Sequence, residues 1–422
     1  MSLGGAAATT LGYSRRERCR LCDGRDIVTV LSLTPTPPAN AFVSAGQLDR
    51  AQPVYPLDLW FCRHCSHLQL LDVVDPCELF EDYVYVSGTS KVFVEHFSRY
   101  ADEVIEGFGL RGGDLVVEIG SNDGTLLGAF KARGMDVLGV DPAKALARQA
   151  SADGIRTLPE FFTLATAERI KGERGPARCV AANNVMAHID DLGSVLDGVE
   201  CLLAPDGVFV FEVSYLLDVY EKTLFDTIYH EHLDYHSVKP LVGFFARHGL
   251  ELVDAVRVPT HGGSLRGIAQ KAGGRNSVRP GVRALIESEE RIGLDQERLF
   301  QDFARRIDGL RQDLVSLVRR LKAEDQTIAG YGAPAKATTL LYHFGLGRDE
   351  LDFIVDDSPL KQGLFTPGLH IPVLPSSALK THKPDYLIIL AWNFSEPIMA
   401  NNAEFKETGG RFIVPVPELT IV

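Results

Sequence analysis

The chain has 422 residues, which is too long for one ordinary hydrophobic core and predicts two or three domains. With 43 Lys and Arg against 56 Asp and Glu, its formal net charge of -13 repels polyanions, so we expect no nucleic-acid partner. No stretch reaches the roughly 18 consecutive apolar residues that cross a bilayer, and the N-terminus lacks the apolar centre of a signal peptide, so we expect a cytoplasmic protein without membrane contact.

Three segments differ in their sequence pattern. Residues 1–82 are rich in Pro and Cys and predict a loop-rich module, in which "LTPTPPANAF" is extended because each Pro disfavours helix in the residue before it. Residues 83–272 alternate short apolar runs with helix-like stretches, as in βα units around a parallel sheet. Residues 273–422 repeat this pattern. The sequence therefore predicts an α/β protein with an N-terminal module, a central doubly wound domain and a C-terminal Rossmann-like domain.

Four of the seven cysteines form two CxxC pairs in the first segment. They are Cys19, Cys22, Cys62 and Cys65, and we expect them to bind a metal ion. Each pair offers two thiolates on a tight turn, and four thiolates complete the tetrahedral shell of zinc. The intervening loop is long, but the entropic cost of closing a loop grows slowly with its length. Since four protein ligands leave no open position, we expect a structural zinc rather than a catalytic one.

A glycine loop follows the first strand of the central segment, in "DLVVEIGSNDGTLLGAF". Glu118 ends the apolar run, and Gly120 and Gly124 bracket the turn into a helix, which lets a ligand approach the backbone. The spacing departs from the G-x-G-x-x-G of pyrophosphate binders and suits S-adenosylmethionine, which carries an amino acid group and a sulfonium instead. A second strand ends at Asp141, where a carboxylate accepts ribose hydroxyls.

Further residues are expected at the same cofactor site. "PEFF" (159–162) is placed to edge the adenine, and "AANNVMAHIDD" ends a fourth strand with polar side chains facing the crevice. The full predicted cofactor set is Glu118, Gly120, Asn122, Gly124, Asp141, Pro142, Phe161, Asn183 and Asn184. A generic strand-turn-helix would also contain glycine, so the prediction depends on the acids and glycines occurring together.

The cluster "YHEHLDYH" (229–236) follows the strand "GVFVFEVSY" and contains three of the twelve histidines. It does not fit the H-E-x-x-H zinc motif. His232 and His236 stand four apart, which would suit a metal pair on a helix, and a charged surface cluster is the other alternative. Its position within the cofactor domain favours acid–base chemistry.

A long helix is predicted before the C-terminal domain. Leu299, Phe303, Ile307, Leu310, Leu314, Leu317 and Leu321 recur at spacings of three and four and form one stripe. The stripe could form a coiled-coil dimer. Packing within the chain is the commoner use, so we expect a monomer.

The glycine turn "GYGAPAK" (330–336) follows an apolar strand and opens a helix, which makes an anion site. Lys336 would add a positive charge toward a diphosphate. The turn also fits G-x-G-x-x-A, and Asp356 and Asp357 follow about a strand later, so a nicotinamide-dependent dehydrogenase or epimerase is an alternative. A plain strand-helix turn is the other.

Taken together, the motifs resemble the sugar C-methyltransferases of deoxysugar biosynthesis. The resemblance covers nearly the whole chain and is carried by the two CxxC pairs, "PTPPANAF", "YVYVSGTS", "VVEIGSNDGTLL", "NNVMAHIDD", "YHEHLDYH", "HGGSLR" and "GYGAPAK". It implies S-adenosylmethionine as the cofactor. It also implies transfer of a methyl group to C-3 of a dTDP-linked 4-keto-6-deoxysugar, after a base has removed the C-3 proton and left an enolate.

The resemblance also implies roles for individual residues. His232 is the base, with Glu231 and Tyr229 beside it in the sugar site, and Tyr83 and His188 complete the pocket. The predicted substrate-binding residues are Asn40 from the proline-rich loop, Ser264 and Arg266 from "HGGSLR", and Tyr331 and Lys336 from "GYGAPAK". The nucleotide sugar is expected on the C-terminal domain.

Two further functions are alternatives to this one. An RNA methyltransferase would share the zinc and the cofactor domain, but it predicts a basic surface, which the acidic composition opposes. A nucleotide-sugar-binding protein without activity would leave the clustered His and Glu side chains unused.

Overall fold

The computed structural model describes residues 12–80 and 91–422. Within these ranges, no helix combines the length and the apolar character that crossing a bilayer requires.

The N-terminal module is built from short antiparallel strands. In chain order these are β1 (Tyr13–Arg15), β2 (Ile27–Thr36), β3 (Tyr55–Cys62), β4 (Leu68–Leu70) and β5 (Asp72–Val74), followed by helix α1 (Pro76–Phe80). β3 is a half-buried strand in which buried and partly buried residues alternate. β1 pairs with β5, whereas β2, β3 and β4 form a sheet whose other edge receives a strand from the middle of the chain.

The central region begins with α2 (Lys91–Phe108), β6 (Leu115–Ile119), α3 (Thr125–Ala132), β7 (Asp136–Val140), α4 (Lys144–Ala152), β8 (Thr157–Leu158), α5 (Leu164–Arg174) and β9 (Ala177–Asn183). It continues with α6 (Leu192–Leu202), β10 (Leu203–Ser214), α7 (Leu216–Glu221), β11 (Asp234–Tyr235), α8 (Val238–Arg247), β12 (Leu250–Val258) and β13 (Ser264–Lys271). The sheet order is β12-β13-β10-β9-β6-β7-β8. β13 is antiparallel to both neighbours, and the pairs from β10 to β8 are parallel.

The central strands are apolar because helices cover both faces of the sheet. Every residue of β6 is buried, although Glu118 lies among them. Gly120, directly after this strand, has φ of +67°, and a Cβ there would lie 2.3 Å from Val185 Cγ2. The turn therefore requires glycine for its own backbone and packing.

The C-terminal region starts with α9 (Pro280–Ile292), α10 (Glu297–Ala323), β14 (Ile328–Tyr331), α11 (Ala335–Phe344), β15 (Ile354–Val355) and β16 (Val373–Leu374). It ends with α12 (Ala378–His382), β17 (Tyr386–Ile389), α13 (Ser395–Asn401), α14 (Ala403–Glu407), β18 (Arg411–Val414) and β19 (Thr420–Ile421). The sheet order is β16-β15-β14-β17-β18-β19, parallel except for β19. Because the first strand, β14, lies between β15 and β17, the chain reverses direction across the sheet at the β14–β17 boundary, where such folds bind ligands.

These observations confirm the predicted fold class. The expected long helix is α10, and a separate helix, α9, precedes it and ends at Gly293 in the left-handed region. The seven residues of the predicted stripe are all buried within the chain. One feature was not predicted: β11, from the histidine cluster, pairs with β4 and so extends the sheet of the N-terminal module.

The two CxxC turns of the N-terminal module meet. The sulfur atoms of Cys19 and Cys65 are 3.6 Å apart, those of Cys22 and Cys62 are 3.5 Å apart, and all four lie within 4.8 Å of one another. Zn–S bonds of about 2.3 Å imply S···S separations of about 3.8 Å in a tetrahedron, which this cluster fits. The four sulfurs would fill the shell of the ion, so zinc here holds the two turns together.

We expect replacing Leu314 with Ala to lower the free energy of unfolding by about 3 kcal/mol, because the side chain is fully buried and its removal leaves a cavity. Urea denaturation measures the change. Gln301→Ala, on the exposed face of the same helix, is the control and should have almost no effect. A loss of less than about 0.5 kcal/mol in Leu314→Ala would contradict the packing described for α10.

We expect Cys62→Ser to lower the zinc content of the purified protein well below one ion per chain and to lower its melting temperature by at least about 5 °C, because the metal closes the loop between the two turns. Elemental analysis and calorimetry measure both. Cys201→Ser, outside the cluster, is the matched control. Full zinc content in Cys62→Ser would exclude the four-cysteine site.

Candidate active site

The carboxyl ends of β6, β7 and β9 form the candidate cofactor site. Asp141, directly after β7, accepts the backbone N–H of Asn122 at 2.8 Å and that of Ala143 at 2.9 Å, which fixes both carboxylate oxygens. Burial raises the pKa of Asp141 and, more strongly, that of Glu118, to which the charge of Asp141 also contributes. Two acidic groups in a buried crevice attract the cationic and hydroxyl groups of a ligand.

Several buried polar atoms of this site lack a hydrogen bond of ordinary geometry to any residue in 12–80 or 91–422. They are Glu118 Oε2, Ser121 Oγ and both polar atoms of the Asn183 amide, although this amide lies near enough to Glu118 to oppose the rise of its pKa. Buried polar atoms without partners are rare and mark places where another group binds. The amino acid and ribose groups of S-adenosylmethionine offer donors and acceptors of the required kinds, so these residues fit the cofactor.

The remaining predicted cofactor residues lie on the turns that follow these strands or in the loop after β8. Asn122 and Asn184 have left-handed backbones, with φ of 51° and 55°, and Gly124 is the N-cap of α3. Pro142 lies between Asp141 and Ala143, whose backbone N–H Asp141 accepts. Phe161, in the loop after β8, is 46% exposed, whereas its neighbour Phe162 is buried.

The histidine cluster is not a helix, and its histidines have separate surroundings. His230 lies in the core, with Nε2 3.1 Å from the carbonyl oxygen of Pro56, and burial lowers its pKa to about 4. His236 is also buried, stacks on His67, and has its pKa lowered to about 4 by burial. These two histidines are neutral packing residues at neutral pH. The segment therefore does not form the helical metal pair that the spacing of His232 and His236 allowed.

His232 is held in one tautomer. Its Nδ1 lies 2.8 Å from the carbonyl oxygen of Thr227, which can only accept, so Nδ1 carries the hydrogen. In the neutral ring Nε2 is then an acceptor, and the hydroxyl of Tyr229 donates to it at 2.9 Å. Both side chains are partly buried. This arrangement presents a basic nitrogen with a fixed orientation.

His188 packs edge-on against His232, with ring centroids 4.9 Å apart. It lies in a short 3-10 helix (Met186–His188) that follows Asn183 and Asn184 closely. Burial and the charge of His232 lower the pKa of His188 well below its ordinary value. The cofactor crevice and the His232 site are therefore neighbours, joined through the 183–188 segment. Tyr83, predicted for the same pocket, lies outside the described residues.

Glu231 is buried and bound by the proline-rich loop of the N-terminal module. The amide of Asn40 donates to both carboxylate oxygens, at 3.0 and 3.1 Å. Burial raises the pKa of Glu231 to about 7, and the Asn40 amide opposes this rise. The structure thus brings His188, Tyr229 and His232 into contact with one another, and the Asn40–Glu231 pair adjoins them in the chain at residue 231.

The glycine turn of the C-terminal domain contributes two residues. Lys336 is largely but not fully buried, with Nζ 4.0 Å from the centroid of the Trp392 ring and 3.7 Å from Asp226 Oδ2, and desolvation lowers its pKa. Trp392 Nε1 donates to the same carboxylate at 2.6 Å. Tyr331 donates its hydroxyl to Asp357 at 3.0 Å. The sequence did not predict Asp226 and Trp392 as site residues, because they are 166 residues apart in the chain and only the fold brings them together.

Two predicted substrate residues lie on β13 instead. Ser264 donates to the carbonyl oxygen of Thr260 at 3.0 Å. Arg266 is buried against Glu212, whose Oε1 accepts from its Nε at 2.6 Å, and it also contacts Glu103 and the Tyr100 ring. This placement joins Arg266 to the central sheet rather than to the C-terminal turn, so it lends no support to a nucleotide contact.

Asp356 and Asp357, the acids that a nicotinamide-binding site would use, accept hydrogen bonds from other residues of the chain. Asp356 accepts the backbone N–H of Ala333 at 2.6 Å and that of Ser358 at 2.8 Å. Lys361 donates to the Ala333 carbonyl at 2.8 Å, so this part of the turn is tied to the loop after β15.

Comparisons with known proteins identify the family. Residues 19–80 match the family model of a zinc binding domain, residues 93–255 that of a methyltransferase domain, and residues 259–417 that of a C-methyltransferase C-terminal domain. C-methyltransferase NovU of Streptomyces niveus is 40% identical over 406 residues, which cover 96% of this chain and 97% of NovU.

Solved structures show more distant likeness. Magnesium protoporphyrin IX methyltransferase (ChlM) from Synechocystis PCC 6803 is 14% identical, covering 45% of this chain and 86% of that chain with a TM-score of 0.33. An S-adenosylmethionine-dependent methyltransferase from Clostridium acetobutylicum ATCC 824 is 13% identical, covering 43% and 92% with a TM-score of 0.35. Likeness at this level carries no argument about activity.

The family expected from the motifs is confirmed by the full-length match to NovU, and so are the zinc-binding module and the methyltransferase domain. This chain belongs to the C-methyltransferase family that includes NovU, and it is an S-adenosylmethionine-dependent C-methyltransferase with a zinc-binding N-terminal domain.

Proposed function

We propose that the enzyme methylates C-3 of a dTDP-linked 4-keto-6-deoxysugar, with His232 as the base that forms the enolate. A ketone at C-4 acidifies the C-3 hydrogen, so a positioned base of ordinary strength can remove it. When bound, S-adenosylmethionine supplies an electrophilic methyl group. The carbon of the enolate is the nucleophile, and the C-3 proton leaves the site through the base.

The observation that carries the proposal is the fixed tautomer of His232. Because Thr227 holds the Nδ1 hydrogen, Nε2 is the nitrogen that takes up a proton. Protonation makes the ring a cation, and the hydrogen bond from Nδ1 to the carbonyl of Thr227 then strengthens. The substrate's C-3 hydrogen would approach the position where the Tyr229 hydroxyl now donates.

The neighbouring groups suit an enolate. His188 stays neutral when His232 becomes charged, because burial and that charge both lower its pKa. It can therefore donate a hydrogen bond without competing for the proton. Tyr229 is a second donor beside His232, and either His188 or Tyr229 can stabilise the C-4 oxygen as negative charge develops.

Glu231 is suited to bind sugar hydroxyls. With Asn40 fixing its carboxylate, the remaining lone pairs of the two oxygens can accept from an acceptor sugar. Asn40 belongs to the N-terminal module, so that module would form one wall of the sugar site.

The nucleotide would occupy the crevice between the ends of β14 and β17. The helix α11 begins at Ala335 and directs its N-terminal N–H groups there, and Lys336 adds a cation. Lys336 is now balanced by Asp226, which lies three residues before Tyr229. A diphosphate at Lys336 would thus lie next to the segment that carries the base. The family assignment leaves the dehydrogenase alternative without support.

We expect His232→Asn to abolish both methyl transfer and exchange of the C-3 hydrogen with solvent deuterium, because the variant lacks the imidazole Nε2 that takes up the proton. Incubation of a dTDP-4-keto-6-deoxysugar with enzyme in D₂O, followed by NMR, measures exchange. Binding of S-adenosylmethionine, measured by calorimetry, should stay within about twofold of the wild type. Unchanged exchange in His232→Asn would show that another group is the base.

Tyr229→Phe separates two versions of this step. If Nε2 of His232 contacts the C-3 hydrogen directly, we expect the variant to keep measurable exchange while methyl transfer slows by about 10- to 100-fold, the usual effect of losing one donor to a developing oxyanion. If the phenol relays the proton, exchange is lost as completely as in His232→Asn.

We expect the affinity for the acceptor sugar to fall as the pH is lowered through about 7, because Glu231, whose pKa is raised to about 7, is then protonated and loses acceptor capacity. Calorimetric titration from pH 6 to 8 measures this change. Glu231→Gln should bind more weakly at pH 8 and should lose most of the pH dependence. An equally steep dependence in Glu231→Gln would exclude this carboxylate as the titrating group.

A further inference from the structure

Arg20 lies inside the first zinc-binding turn, between Cys19 and Cys22, yet its side chain is fully buried. Its Nε donates to Asp190 Oδ1 at 3.0 Å. Its Nη1 contacts the carbonyl oxygens of Leu70 and Leu233, the latter at 3.4 Å. A buried guanidinium with contacts to three separate segments is costly to place, so its partners define where those segments can lie.

Two of these partners flank the histidines of the active site. Leu233 directly follows His232, and Asp190 follows His188 by two residues. The backbone joins the same two places, because Leu233 N–H donates to the carbonyl of Ala187 at 2.7 Å. Leu233 is therefore held at its N–H by the His188 segment and at its carbonyl by Leu70 and Arg20.

We propose that Arg20 is a positioning residue for the reaction: its guanidinium holds the loops of His188 and His232 in register with the zinc-binding turn. The inference rests on the proposed role of His232. The planar fork of Arg can reach an aspartate and two carbonyls at once, which a lysine ammonium cannot. Zinc held by the four cysteines would fix the turn from which Arg20 extends, so it would support this positioning without touching the substrate.

Arg20→Lys tests the proposal, because it keeps the positive charge and removes the fork. We expect C-3 exchange and methyl transfer to fall together by about 10- to 100-fold, as for a catalytic group displaced by about 1 Å. Zinc content and affinity for S-adenosylmethionine, whose candidate site Arg20 does not contact, should stay at wild-type values. Arg18→Lys is the matched control, because Arg18 flanks the same turn, is 43% exposed in its side chain, and pairs with the nearby Asp23; it should retain full activity.

Asp190→Asn is the second variant, and it tests the positioning role of Arg20 even if Arg20→Lys does not fold. It removes a charge from a side chain that is 34% exposed and that also accepts from Arg16 Nη1 at 3.1 Å, and it leaves the carbonyl contacts of Arg20 intact. Arg16→Lys is its control and should exchange at the wild-type rate. We expect exchange to slow by about three- to tenfold with the zinc retained. Exchange within twofold of wild type in folded Arg20→Lys, or in Asp190→Asn, would overturn the proposal.

His232→Asn, measured in parallel, separates this inference from the proposed function. If His232→Asn exchanges normally, the assignment of the base fails whatever Arg20 does. If His232→Asn is inactive and Arg20→Lys exchanges normally, only the positioning role of Arg20 fails.

Discussion

The active site depends on how one segment, 226–236, is held by three sheets at once. At its start, Asp226 accepts from Trp392, and the carbonyl of Ile228 accepts from Thr339, both of the C-terminal region. At its end, β11 pairs with β4 of the N-terminal module, and Leu216 N–H, after the central strand β10, donates to the carbonyl of His236. The residues between these anchors, Tyr229 to His232, have little freedom left, and a base with so few alternative positions loses little entropy on reaching the substrate.

Burial assigns different tasks to histidines that the sequence places side by side. His230 and His236 have low pKa values because they are buried, and they remain neutral at neutral pH. Asp234 carries a negative charge in this cluster. Burial alone would raise the pKa of Asp234, but Arg20 and His67 hold it below its ordinary value. Its carboxylate accepts from His67 at 2.6 Å and so joins the cluster to the N-terminal module. Packing histidines and a structural acid thus surround the one histidine of the cluster that has the geometry of a base.

The sequence predicted more of the fold than of the site. Apolar runs, glycine turns and paired cysteines are local patterns, and they were sufficient to predict the zinc cluster and two α/β domains. The choice of His232 over His230 and His236 came from the resemblance, since nothing local distinguishes the three. Arg20, Asp190, Asp226 and Trp392 were missed because their partners are more than a hundred residues away in the chain. For Arg266 the sequence suggested a role that the structure does not support. Its motif predicted a substrate contact, but the side chain forms a buried ion pair with Glu212.

The separation of the domains bears on the proposed chemistry. The candidate S-adenosylmethionine site at the ends of β6, β7 and β9 and the proposed nucleotide site at the ends of β14 and β17 belong to different sheets, so neither sheet alone could bring the methyl donor to the proposed sugar. The 226–236 segment meets both, through His188 on one side and through Asp226 and Lys336 on the other. Asn40 reaches the same place from the N-terminal module and binds Glu231. In the proposed reaction, each domain therefore supplies a wall of the site. All three domains pack against the 226–236 segment, so this segment sets the geometry of the site.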